Sequence, residues 1–139
     1  MIIAVIDGQG GGIGRVVVEK LRHELGLECW IIGLGTNAVA TSIMLKAGAN
    51  EGASGENAVV RTVSRADMIV GSVAILAANS YSGELTPAMA EAVASSPAVK
   101  VLIPLNRHGI ELTGVVDESL PIQVDRLVSR VREIWNNQK

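Results

Sequence analysis

Met1-Ile2-Ile3-Ala4-Val5-Ile6-Asp7-Gly8-Gln9-Gly10-Gly11-Gly12-Ile13-Gly14-Arg15-Val16-Val17-Val18 is the stretch whose reading decides the fold. Met1 to Ile6 is an unbroken apolar run, the pattern of a strand buried on both faces and therefore central in a parallel sheet. Asp7-Gly8 ends it. After the glycines, Val17, Val18, Leu21 and Leu25 recur at helical spacing, with Arg15, Glu19, Arg22 and His23 on the other side and Gly26 as the stop. A buried strand, a glycine-rich turn and an amphipathic helix in this order open an α/β unit.

The rest of the chain continues the alternation. Glu28 to Leu34 reads as a second strand, Gly35-Thr36-Asn37 as a turn that supplies a helix cap, and Ala38 to Ala47 as a second helix closed by Gly48. A short third strand falls near residues 49 to 53. Ser54-Gly55-Glu56-Asn57 then opens a helix running to about Arg65, and Asp67 leads into the apolar strand Met68 to Val73. Thr86-Pro87 places a capping hydroxyl before a proline at the first helical position, and Ser95-Ser96-Pro97 ends that helix. Val99 to Leu105 is the next strand. Asn106-Arg107-His108-Gly109 turns the chain into Ile110 to Val116, which reads as an antiparallel edge strand. A last helix from about Pro121 carries Val124, Leu127, Val128, Val131, Ile134 and Trp135 on one face.

Strands alternating with helices at this spacing predict a single domain over residues 1–139. The architecture is a three-layer α/β/α sandwich, Rossmann-like, with a mostly parallel sheet and one antiparallel edge strand. Ligands in such folds bind beyond the carboxyl ends of the strands, where the strand order reverses. That directs attention to the loops Asp7 to Gly14, Gly33 to Asn37, Gly71 to Glu84 and Asn106 to Gly109.

Composition narrows the ligand class. The 139 residues are 48% hydrophobic and 19% charged, with 15 Gly, a formal net charge of −2, two Trp, one Tyr and no Phe. The core must therefore be aliphatic. A pI of 5.7 excludes a strongly basic nucleic-acid footprint, and three scattered aromatics make no stacking platform for bases. A mean hydropathy of +0.36 leaves more apolar surface than a domain this size easily hides, so a homo-oligomer is expected. Cys29 lies in the apolar run Cys29-Trp30-Ile31-Ile32 and reads as a reduced core thiol, which fits a cytoplasmic protein. The longest apolar run, Met68 to Ala78, is far short of the roughly 20 residues a membrane span needs, so no membrane association is expected. Two separated His and the single Cys provide no metal site at ligand spacing.

Gly8, Gly10, Gly11, Gly12 and Gly14 crowd the turn after the first strand. Residues without Cβ let the backbone turn tightly, expose amides to a phosphate and bring a helix N-terminus close to the sheet. The spacing Gly8-x-x-x-Gly12-x-Gly14 resembles the loop of short-chain dehydrogenases and reductases, over the first strand, loop and helix only. The catalytic Tyr-x-x-x-Lys pair of that family has no counterpart, since Leu85 follows Tyr81 at the fourth position, so its chemistry is rejected. The end of the second strand offers Gly35, Thr36 and Asn37, not the acid that would bind a ribose diol. Asp7 would repel a bare pyrophosphate unless it caps the loop or holds a cation.

Over the whole chain the sequence resembles an uncharacterised family of small bacterial proteins, a domain of unknown function. The segments that carry the resemblance are Ile6 to Gly14, Leu34 to Ala38, Lys46 to Asn50, Gly55 to Ala58, Ala78 to Ser80, Gly83 to Pro87 and Leu102 to Arg107. The resemblance implies the fold and supplies no activity.

The residues point to a protein that holds a nucleotide or dinucleotide phosphate, NAD(P) or another nucleotide, in a regulatory or sensing role. The expected binding set is Asp7, Gly8, Gln9, Gly10, Gly11, Gly12, Ile13, Gly14, Thr36, Asn37, Gly71, Asn79, Ser80 and Arg107. Two other readings stay open. One is an enzyme acting on a small phosphorylated or carboxylated metabolite, with Glu84 as the general-base candidate and Arg107 as an anion clamp. The other is an oligomeric interaction module whose glycine loop is purely structural. His108 reads as a turn residue and His23 as solvent-facing.

Overall fold

The computed structural model describes residues 1–138. In chain order the elements are β1 (Ile2–Asp7), α1 (Gly12–Leu25), β2 (Trp30–Gly35), α2 (Ala38–Ala47), β3 (Glu51–Ser54), α3 (Glu56–Val63), β4 (Met68–Ser72), α4 (Pro87–Ser95), β5 (Val99–Ile103) and α5 (Leu120–Gln138). The five strands form one sheet in the order β3-β2-β1-β4-β5, and every pairing is parallel. From β1 the chain first steps outward to β2 and β3, then returns to lay β4 on the other side. The order reverses between β1 and β4, and a crevice opens there at the carboxyl ends of the strands.

β1 is central because each of its faces meets a separate apolar layer. Ile3 and Val5 point into a cluster with Val17, Val18 and Leu21 of α1, Met44 of α2, and Val124, Leu127 and Val131 of α5. Ala4 and Ile6 point into the opposite cluster, with Val59 and Val63 of α3 and Met89 and Val93 of α4. This period of two is what an unbroken apolar strand becomes when both faces are covered. Aliphatic layers pack closely because glycines admit them: a Cβ on Gly33 would lie 2.9 Å from Met44 Cβ, and one on Gly14 2.7 Å from Met44 Sδ. Tyr81 is the one aromatic among the buried residues of the described chain.

The caps behave as read. Asn37 Oδ1 accepts from Ala40 N at 2.9 Å to start α2, and Thr86 Oγ1 accepts from Met89 N at 3.2 Å ahead of Pro87. Helix α3 differs in detail, starting after Gly55 without a side-chain cap and ending at Val63.

The antiparallel edge strand is a correction. Residues 104–119 form no strand, β5 is the sheet edge, and the sheet is wholly parallel. His108 (φ 57°), Gly109 (φ 78°) and Gly114 (φ 78°) adopt left-handed backbone, which interrupts any extended run long enough to pair. The segment is held instead by short-range bonds, Ile110 N to Arg107 O at 3.0 Å and Leu112 N to Asn106 Oδ1 at 2.9 Å. Among the described residues no helix is long and apolar enough to cross a membrane.

Candidate functional site

The site is built upward from the end of β1. Asp7 is buried at 3% exposure, and both its oxygens are spent on the loop: Oδ1 accepts from Gly8 N at 2.8 Å and Oδ2 from Gly14 N at 2.6 Å. Burial pushes its carboxyl above the ordinary range; the amides of Gly14, Gly8 and Ile13 oppose that without cancelling it. Asp7 thus caps the glycine turn from beneath, the first of the two roles in which a carboxylate at this position is tolerated.

The glycines then divide by what a side chain would meet. At Gly8 a Cβ would stand 2.8 Å from Thr36 Oγ1 and 2.9 Å from the Tyr81 ring, and at Gly11 (φ 73°) 2.9 Å from Ala40 Cα. Packing requires glycine there, as it does at Gly14. At Gly10 and Gly12 nothing lies within 4 Å and φ is not positive, so packing requires nothing. Among the described residues the amides of Gly10 and Gly12 donate to no protein acceptor, and Gly12 begins the 14-residue α1.

The loop after β4 closes one side of the crevice. Asn79, Tyr81 and Ser82 all adopt left-handed backbone (φ 67°, 56° and 57°), a conformation that side chains other than glycine take at a cost. Ser80 Oγ donates to Ala74 O at 2.7 Å, Asn79 N to Leu85 O at 2.7 Å and Gly83 N to Asn79 O at 3.0 Å, which over-determines the turn. Its product is twofold. Glu84 Oε1 reaches across to accept from Gln9 N (2.8 Å), Thr36 Oγ1 (2.6 Å) and Asn37 Nδ2 (2.8 Å), bonds that hold its carboxyl below the ordinary range. The Tyr81 ring is driven inward against Gly8.

The Tyr81 hydroxyl is buried and meets no hydrogen-bond partner. Ser72, at the end of β4, is near enough to favour the phenolate, but no bond of good geometry closes; burial, with Asp7 nearby, drives the phenol far above its ordinary range and keeps it protonated. His108 leans on the ring with centroids 4.9 Å apart, and its Nδ1 accepts from Tyr81 N at 3.4 Å.

These elements enclose a cavity of about 450 Å³. One wall is the turn from Asp7 to Ile13, continued by Arg15 and Val16 of α1. The other is Ser72, Tyr81, Arg107 and His108, and Leu120 of α5 completes the rim. Arg107 is exposed and forms no ion pair among the described residues. The cavity therefore presents unspent amides at a helix N-terminus, one unpaired cation and an apolar side from Ile13, Val16 and Leu120, with Tyr81, its hydroxyl buried and unpaired, in the wall. It suits a small anion with an organic body.

Of the residues expected from sequence, Asp7 through Ile13 and Arg107 line this cavity, and Gly14 lies beneath it as a donor to Asp7. Thr36, Asn37 and Glu84 lie together on the far side of the Tyr81 ring, bonded to one another. Gly71 is buried within β4, where a Cβ would stand 2.7 Å from Ile6 O. Ser80 is buried and engaged with Ala74 O, and Asn79 is exposed in the turn. The loops Gly71 to Glu84 and Asn106 to Gly109, to which the strand ends direct attention, also bring Ser72, Tyr81 and His108 to the cavity, none of them in the expected binding set. The available signal was the chain's only tyrosine, set between Ser80 and Ser82 in a polar loop after a buried strand. Among the described residues no group of three or more His, Cys, Asp or Glu is placed to hold a metal ion.

Residues 2–136 match the protein family described as "Domain of unknown function (DUF3842)", and the chain belongs to that family. No curated protein and no solved structure matches the chain.

Proposed function

We propose that this member of the DUF3842 family binds a phosphate-bearing small ligand of the nucleotide class in the crevice between β1 and β4. The phosphate lies on the amides of Gly10 and Gly12, at the positive end of α1, and Arg107 faces it. One observation carries the reading: packing explains Gly8, Gly11 and Gly14 but leaves Gly10 and Gly12 without a structural reason to lack a side chain. A purely structural loop would not need them. Binding in a sensing or regulatory role is favoured over general-base catalysis, because Glu84 is held as a strut by three donors and its lowered basicity suits that task. The proposal includes self-association through the exposed Val115, Val116 and Ile122, and a reducing, intracellular setting consistent with the buried, free Cys29.

Thermal unfolding with inorganic phosphate, AMP and NAD⁺ tests the binding. A ligand at a hundred times its Kd adds about 2.7 kcal/mol to the stability of the folded state. Gly12→Val, whose side chain enters open space, is expected to fold and to lose that stabilisation. No stabilisation of the wild-type protein by any of the three at millimolar concentration overturns the reading.

A further inference from the structure

The crevice at the carboxyl ends of the strands is divided in two, and one half is filled by the chain itself. On the β2 side, where an extended ligand would continue from the glycine turn over Gly35, the Tyr81 ring sits against Gly8 and Glu84 bonds Gln9, Thr36 and Asn37. The plug is fixed, since the turn that presents it carries three left-handed non-glycine residues and its own network of hydrogen bonds. On the β4 side the cavity is open and has the volume of a small-metabolite site. Against it lies a hydroxyl that is buried with its residue at 4% exposure and has no partner, an arrangement that folded proteins avoid unless something supplies the acceptor.

We infer that the site takes a compact phosphate monoester, of mononucleotide size or smaller, with an oxygen that accepts a hydrogen bond from the Tyr81 hydroxyl, and that the Tyr81–Glu84 plug shuts out dinucleotides. This rests on the phosphate site proposed above and adds the size limit, the direction of entry and the second anchor. The ligand runs from the Gly10 and Gly12 amides toward Leu120 and Arg107, not over Thr36 and Asn37. Tyr81 remains a protonated donor throughout, so the hydrogen bond forms to an acceptor such as a hydroxyl, carboxylate or phosphate oxygen of the ligand.

Calorimetric titration and amide NMR on the full chain, with inorganic phosphate, glycerol 3-phosphate, AMP and NAD⁺ as probes, separate the outcomes. The expected result is that phosphate and the monoesters shift Gly10 and Gly12, that at least one monoester binds ten times more tightly than inorganic phosphate, and that NAD⁺ binds at least ten times more weakly than that monoester. Tyr81→Phe should weaken that monoester about tenfold. Because Tyr81 is the only tyrosine, its ring resonances in the wild-type protein give a second readout and should shift on binding even if the variant fails to fold. NAD⁺ binding as tightly as the monoesters with shifts at Thr36 and Asn37, monoesters no better than phosphate, or a Tyr81 signal unmoved at saturation would each overturn the inference while the phosphate site stands. No shift at Gly10 and Gly12 with any probe, inorganic phosphate included, overturns both.

Discussion

A single oxygen of Glu84 joins the glycine turn, the end of β2 and the cap of α2, and its electrostatics give the site a dependence on acidity. The Thr36 hydroxyl, the Gln9 amide and Asn37 favour the ionised carboxyl, so the folded-state pKa lies below the unfolded value. A depressed carboxyl stabilises the fold above its unfolded pKa and loses that contribution as pH falls through the folded one. Asp7 behaves in the opposite sense: burial raises its folded pKa, so ionisation costs stability above that value, and protonation on acidification relieves the cost. The two therefore partly offset each other on the acid side. Glu84→Gln keeps an acceptor and removes the charge, leaving Asp7 alone. It is expected to cost about 1 kcal/mol at pH 7, the difference between a charged and a neutral acceptor, and about nothing where Glu84 is already protonated. Urea unfolding of wild type and variant followed from pH 7 down to about pH 2 measures this; a deficit that does not shrink as the carboxyl is protonated would mean that the charge contributes nothing.

At the scale of elements, what could be read from sequence is what short-range chemistry dictates. β1, α1, α2 and α4 follow from an unbroken apolar run, from helical periodicity, and from Asn37 and Thr86 as caps with Gly26, Gly48 and Ser96 closing the ends. The walls of the cavity were legible where they coincide with the glycine turn and Arg107. At Tyr81, Ser72 and His108 the loops were legible but not which side chains turn inward, because those side chains meet only through the reversal of strand order, and the left-handed turn at 79–82 has no glycine until Gly83 to announce it. Ile110 to Val116 failed for the complementary reason: its residues suit a strand, but a strand needs a partner backbone, and the left-handed residues at 108, 109 and 114 prevent the run from lying along β5. Amide hydrogen exchange should separate the two cases. Amides of β1 and β4, buried at the centre of the sheet, should exchange at the rate of global unfolding, and those of residues 104–119 orders of magnitude faster. Alternating protection across Ile110 to Val116 would mean that an edge strand forms in solution.

For the molecule as a whole, the two sheet edges differ in how well they are guarded against another copy of the chain. The β3 edge is four residues long, carries Glu51 paired with Arg65, and is polar at Ser54, features that discourage strand addition. The β5 edge has one cationic side chain, Lys100, and its Nζ is turned back to Ser96 O, so the charge does not guard the strand. Beside it Val101, Leu102, Pro104, Val115 and Val116 line a groove of about 310 Å³, with Val99 38% and Val116 71% exposed. Exposed apolar side chains occur elsewhere too, Leu27 and Val39 among them, but here several of them lie together beside an unpaired strand, with Glu118, Arg126 and Arg130 at the groove's margin. A second copy related by a two-fold axis would lay β5 against β5 and cover both grooves at once, because an isologous contact repeats every buried residue. A stable dimer of this kind must bury about 1,200–2,000 Å² in total, more than the strand alone supplies, so Val115 and Val116 must take part. Sedimentation velocity from 1 to about 100 µM is expected to show a dimer, and Val116→Asp combined with Val99→Asp is expected to weaken it at least a hundredfold, about 2.8 kcal/mol, with the fold intact by circular dichroism. A wild-type chain that sediments as a monomer at every concentration, or a double variant that dimerises as tightly as wild type, would remove this edge as the interface.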